Sequence, residues 1–128
     1  MTRILLIEDN ETFRSMVQRM LVGAGYDVEE AADGEAGLAC YRKQRSDVVI
    51  TDVLMPGIEG VEMIRELLRH DPGVKIIAMS GGGRGPTYYY LEMALKFGAC
   101  RFLSKPFTQE ELEVTVAEVL ASSTEYEA

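Results

Sequence analysis

Short apolar runs alternate along this chain with stretches whose apolar residues recur every three or four positions. Arg3-Ile4-Leu5-Leu6-Ile7 is one such run and ends in Glu8-Asp9. Asn10 then offers an N-cap to a helix with Phe13, Met16, Val17, Met20 and Leu21 on one face. Gly23 and Gly25 stop it, and Tyr26 to Glu30 is polar enough for an edge strand. Asp33 caps a second helix with a thin apolar face of Ala36, Leu38 and Ala39. Val48 to Ile50 opens the third strand, which carries Asp52 at its carboxyl end before Met55-Pro56-Gly57. A third helix follows Gly60, with Val61, Ile64, Leu67 and Leu68, and closes at Asp71-Pro72-Gly73. Val74 to Met79 is a buried strand with Ser80 at its end. After the loop Gly81 to Pro86, Thr87 leads into a fourth helix that ends at Gly98. Cys100 to Ser104 is the fifth strand, with Lys105-Pro106 at its end. Thr108 and Glu111 have capping-box spacing ahead of a fifth helix carrying Leu112, Val116, Val119 and Leu120.

Strand and helix thus alternate five times, which calls for an α/β fold: a doubly wound parallel sheet with helices on both faces. Parallel strands open all their carboxyl ends on one side, where such sheets bind ligands. Glu8, Asp9, Asp52, Ser80 and Lys105 should therefore converge there. The tail from Ser122 to Ala128 is polar, and a single domain over residues 1–121 is expected.

Composition narrows the functions. At 128 residues, 47% hydrophobic and 27% charged, the chain can bury a substantial core. A net charge of -8 argues against direct nucleic-acid binding. No apolar run is long enough to span a bilayer, and Glu8, Asp9 and Glu11 interrupt any apolar leader. Cys40 and Cys100 lie far apart and read as reduced thiols, so a cytoplasmic location is expected. His70, the one histidine, reads as solvated.

Three carboxylates brought together repel one another unless a cation joins them. A hard divalent ion fits, and Mg²⁺ suits best because it takes one or two carboxylates, keeps waters and binds phosphate oxygens. A carboxylate beside such an ion can attack phosphorus to form an aspartyl phosphate. Lys105 could hold one phosphoryl oxygen as a point charge, and the Ser80 hydroxyl could donate to another.

Glu8-Asp9, Asp52 with Met55-Pro56-Gly57 and Gly60, Ser80 after an apolar strand, and Lys105-Pro106-Phe107 together resemble the receiver domain of two-component response regulators. The resemblance runs over essentially the whole chain. It implies a flavodoxin-like (βα)5 fold with strand order 2-1-3-4-5 and Asp52 as phosphoacceptor. Asp9 and Asp52 would bind Mg²⁺ directly, Glu8 through a water, and the backbone carbonyl of Leu54 would complete the protein ligands. Ser80 and Lys105 would contact the phosphoryl group, and a cis Lys105-Pro106 bond would aim the ammonium inward. Phe102, three positions before the lysine, would be the switch residue, turning inward as Ser80 moves to the phosphate. The implied donor is a histidine kinase or histidine phosphotransfer protein, with the domain catalysing its own phosphorylation and dephosphorylation. Output would pass through the face of the fourth helix, fifth strand and fifth helix, to a downstream protein, a removed effector domain or a second copy.

Two features depart from the family pattern. The loop Gly81 to Pro86 is glycine-rich and longer than the family norm, yet lacks the GxxxxGK[ST] order of a phosphate cradle. Tyr88-Tyr89-Tyr90 cannot all face the core of one helix. The alternative function is a phosphorylation-independent docking module with a receiver fold. A flavin-binding protein would need a hydroxyl- and glycine-rich loop after the first strand, where Glu8-Asp9-Asn10-Glu11 stands. An aspartyl phosphatase would carry a second acid two residues after Asp52, where Leu54 stands.

Overall fold

The computed structural model describes residues 1–53, 60–81, 96 and 98–122. The elements are β1 (Arg3–Ile7), α1 (Glu11–Gly23), β2 (Asp27–Ala31), α2 (Gly34–Lys43), β3 (Val48–Asp52), α3 (Gly60–His70), β4 (Ile76–Gly81), β5 (Arg101–Lys105) and α4 (Gln109–Ala121), the last helix. The stretch expected to form the fourth helix, with Tyr88-Tyr89-Tyr90, lies outside the described residues, as does most of the Gly81 to Pro86 loop.

All five strands are parallel, in the order β2-β1-β3-β4-β5. The expected doubly wound sheet is therefore the observed one. β3 is central and buried at every position, as a run of β-branched residues covered on both faces must be. Alternation of side chains divides the core in two. Leu5, Ile7 and Val49 face Leu38, Tyr41, Met63, Ile64 and Leu67 of α2 and α3. Ile4, Leu6, Val48 and Ile50 face Val17 and Leu21 of α1 and Leu112, Val116 and Val119 of α4.

The helix starts follow their caps. The Asn10 side chain accepts from the Phe13 N–H and that of Asp33 from the Ala36 N–H, while Thr108 and Glu111 close a reciprocal capping box. Three strands begin one or two residues later than their apolar runs suggest: β2 at Asp27, β4 at Ile76 and β5 at Arg101. The face of α2 also differs from expectation. Ala36 and Ala39 are exposed, and the buried positions are Gly34, Gly37, Leu38 and Tyr41. Gly37 is buried because a Cβ there would lie 2.4 Å from Ile7 Cδ1, so α2 packs directly on β1.

Candidate functional site

The carboxyl edge of the sheet collects the acidic residues. Glu8 follows β1, and its N–H donates to the Ala31 carbonyl at 3.0 Å, which extends the ladder by one step. Its Oε2 accepts from the Asn10 N–H at 3.0 Å, while Arg14 Nη1 donates to its carbonyl at 2.8 Å. Arg14 Nε also donates to Glu30 Oε1 at 3.2 Å, tying α1 to β2 beside the site. Asp52 ends β3. Glu8 is 1% exposed and Asp52 5%, whereas Asp9 is open to solvent. Each of the three offers a carboxylate oxygen, and these oxygens all lie within 4.8 Å of one another.

Lys105, at the end of β5, reaches across β4 into this cluster. Its Nζ donates to Glu8 Oε1 at 2.7 Å and to Asp52 Oδ2 at 2.9 Å. The Lys105-Pro106 bond is cis. Burial works against the Lys105 charge, yet its hydrogen bonds to Glu8 and Asp52 outweigh that and hold its pKa above the ordinary lysine value. Glu8 is raised as well, because burial opposes ionisation more than the bonds from Lys105 and Asn10 favour it, and the Asp52 charge adds to the effect.

Ser80 sits near the end of β4, one step beyond Met79, the partner of Asp52 across the ladder. It is fully buried, and its hydroxyl has no hydrogen-bond partner among the described residues. A buried hydroxyl with no partner is costly in a folded protein and calls for an explanation. Among the described residues Ser46 Oγ and Arg3 Nε share this state, so it is the place of Ser80 beside Asp52 that sets it apart. Phe102 pairs with Ala78 across the β4–β5 ladder and is 39% exposed, not a core residue. Leu54 lies outside the described residues. Hydrophobic patterning places Phe13 only on a core-facing helix stripe. In the fold its ring also covers Lys105 Nζ, with the centroid 4.4 Å away.

The donor set suits a hard divalent cation. Its ligands are carboxylate oxygens without sulfur or imidazole, two of them are buried, and an ammonium already partly neutralises them. Among the described residues the convergence is thus complete for Glu8, Asp9, Asp52 and Lys105, with Ser80 at the same sheet edge.

Comparison with known proteins agrees with this architecture. A family model of the response regulator receiver domain matches residues 4–117. The chain is 34% identical over 106 residues to the chemotaxis protein CheY of Thermotoga maritima, covering 82% of this chain and 86% of that protein. It is 37% identical over 119 residues to the sensor kinase CckA of Brucella abortus, covering 91% of this chain but only 12% of the kinase. Among solved structures it superposes on Vibrio cholerae CheY4 with a TM-score of 0.84 at 34% identity, covering 93% of this chain and 98% of the other. A receiver domain protein from Clostridium thermocellum gives a TM-score of 0.87 at 29% identity, with 94% of both chains covered. The chain belongs to the response regulator receiver domain family of two-component signalling, whose function is phosphorylation-dependent switching.

Proposed function

We propose that Asp52 is the phosphoacceptor and that a phosphohistidine of a histidine kinase or histidine phosphotransfer protein is the donor. An Asp52 carboxylate oxygen attacks phosphorus, the new O–P bond forms, the P–N bond breaks, and the departing imidazole nitrogen takes a proton from solvent. Lys105 then exchanges its contact with the free carboxylate for a phosphoryl oxygen, and the Ser80 hydroxyl donates to another. Glu8, Asp9 and Asp52 would hold Mg²⁺, with Glu8 acting through a water and the Leu54 carbonyl as a further ligand. When bound, the ion neutralises charge on the phosphoryl oxygens. Hydrolysis of the acyl phosphate by water resets the site.

The observation that carries this reading is the placement of Lys105 Nζ against both Glu8 and Asp52, two residues brought to one pocket from different strands. The buried hydroxyl of Ser80 and the exposed Phe102 support a switch: Ser80 has a hydrogen bond to gain from a phosphate, and Phe102 has apolar surface to bury by turning inward. Output passes through the face that includes β5 and α4 to a protein partner, an effector domain or a second copy. Residues 1–121 form the functional unit, and the free thiols Cys40 and Cys100 suit a cytoplasmic location.

The test is incubation with acetyl phosphate and Mg²⁺, read by intact mass. The parent should gain one phosphoryl group and Asp52→Asn none. A parent that gains nothing would leave the domain as a docking module only.

A further inference from the structure

The Lys105 ammonium has three N–H bonds and, among the described residues, three electron-rich neighbours. Two are the carboxylates of Glu8 and Asp52. The third is the face of the Phe13 ring, at 4.4 Å from Nζ to the centroid. A ring face is the negative lobe of the aromatic quadrupole, and a cation within about 6 Å of it is attracted. This ring is itself held in place. Buried Phe107 meets it edge to face at 5.7 Å and 81°. The Phe13 backbone N–H donates to Asn10 Oδ1 at 2.8 Å, and the Asn10 N–H in turn donates to Glu8 Oε2.

We infer that Phe13 is a positioning residue for phosphoryl transfer: its ring face fixes the Lys105 ammonium between Glu8 and Asp52. The inference rests on Asp52 being the acceptor. Lysine has a flexible four-carbon stem, and its charged end samples many rotamers unless neighbours restrict it. Two carboxylates hold Nζ through charge and hydrogen bonds, and the ring face adds a third contact at 4.4 Å. The edge-to-face contact with Phe107 also favours an aromatic residue here, so the rate must be read together with the Lys105 resonances to separate packing from the ring's effect on the ammonium.

The test compares the parent with Phe13→Leu, Phe13→Met and Phe13→Tyr at saturating Mg²⁺ and fixed acetyl phosphate, with folding followed by circular dichroism. NMR reads the Lys105 side-chain methylene protons, which the ring should shift upfield in the parent and in Phe13→Tyr but not in the other two. The phosphorylation rate should fall about fivefold in Phe13→Leu and Phe13→Met and return to within about twofold of the parent in Phe13→Tyr. The methionine variant also guards against misfolding of the leucine one. Unshifted Lys105 resonances in the parent would overturn the inference, as would a folded Leu or Met variant reacting at the parent rate. So would a Phe13→Tyr rate as low as that of Phe13→Leu. A parent that shows the ring shift but takes no phosphoryl group would instead overturn the acceptor reading, and with it this role in transfer.

Discussion

Lys105 Nζ lies 2.9 Å from Asp52 Oδ2, although 53 residues and one intervening strand separate them. The ammonium therefore supplies positive charge in the place where a divalent ion would supply more. Glu8 is bonded closer still, at 2.7 Å, so the lysine links the two buried carboxylates of the acidic cluster.

Removing that charge should separate cation binding from chemistry. Lys105→Met leaves Glu8 and Asp52 nearly buried with no ammonium between them, which strengthens their attraction for another cation. Mg²⁺ affinity should rise by about tenfold, while phosphorylation by acetyl phosphate slows by about a hundredfold. Titration calorimetry and intact mass measure the two. Mg²⁺ binding that weakens or stays the same would show that the lysine does not compete for the site.

The raised pKa of Glu8 sets the sign of a pH effect. Burial, the main cause, makes the folded state hold a proton at a pH where the unfolded chain has released it. In the metal-free protein Glu8 therefore weakens folding above its folded pKa. Its contribution improves as pH falls from there toward the ordinary value of 4.5, and levels off below it. The difference in stability between Glu8→Gln and the parent should shrink over that window, as read by urea unfolding at a series of pH values. Mg²⁺ affinity should fall over the same window. A constant difference would mean that Glu8 titrates as a solvent-exposed glutamate does.

Much of the site is legible because Glu8-Asp9, Asp52 and Lys105 each stand at the end of an apolar run, and parallel strands align those ends. Residues whose role depends on how a helix is rotated against the sheet are harder to read. Ala36 and Ala39 fit an apolar stripe, but alanine is small enough to face water at little cost, whereas Gly37 is buried by the approach of Ile7. Phe13 carries the periodicity of α1, yet nothing in that spacing tells that α1 brings its ring over Lys105. Tyr41 keeps step with Leu38 on α2, but its hydroxyl's partner Asp71 lies 30 residues away and has no local signal.

That partner makes Asp71 a stability residue at the opposite end of the sheet. One oxygen accepts from Tyr41 Oη and from Arg45 Nε, each at 2.6 Å, and the other accepts from the Gly73 N–H at 3.0 Å. Burial pushes the Asp71 carboxyl up, but the bonds from Tyr41, Arg45 and Gly73 outweigh it and hold the pKa below the ordinary 3.8. Its contribution is therefore complete above about pH 4 to 5 and is lost as pH falls through the folded pKa. Asp71→Ala should cost about 1–3 kcal/mol at pH 7, because it strands the buried Tyr41 hydroxyl and removes the turn acceptor. Adding Tyr41→Phe should recover part of that loss. Denaturant unfolding of the single and double variants decides it, and a double variant no more stable than Asp71→Ala would refute the shared bond.

The proposed switch at Phe102 can be tested by fluorescence because the chain has no tryptophan. Phe102→Trp therefore gives a single tryptophan on β5, excited at wavelengths where the six tyrosines absorb little, at a position 39% exposed in this state. Ser80 is fully buried and its hydroxyl has no partner among the described residues, so a phosphoryl group on Asp52 would offer it a hydrogen bond and would draw it toward the sheet edge. The volume it leaves lies on the neighbouring strand, and an aromatic side chain that turns into it removes apolar surface from water. Acetyl phosphate with Mg²⁺ should shift the emission of Phe102→Trp to shorter wavelength, and the shift should reverse as the acyl phosphate hydrolyses. The same substitution combined with Asp52→Asn should show no change. A shift that persists in that double variant would come from the ion or the donor rather than from phosphorylation, and an emission spectrum unmoved in the phosphorylated parent background would place the moving element elsewhere on the domain.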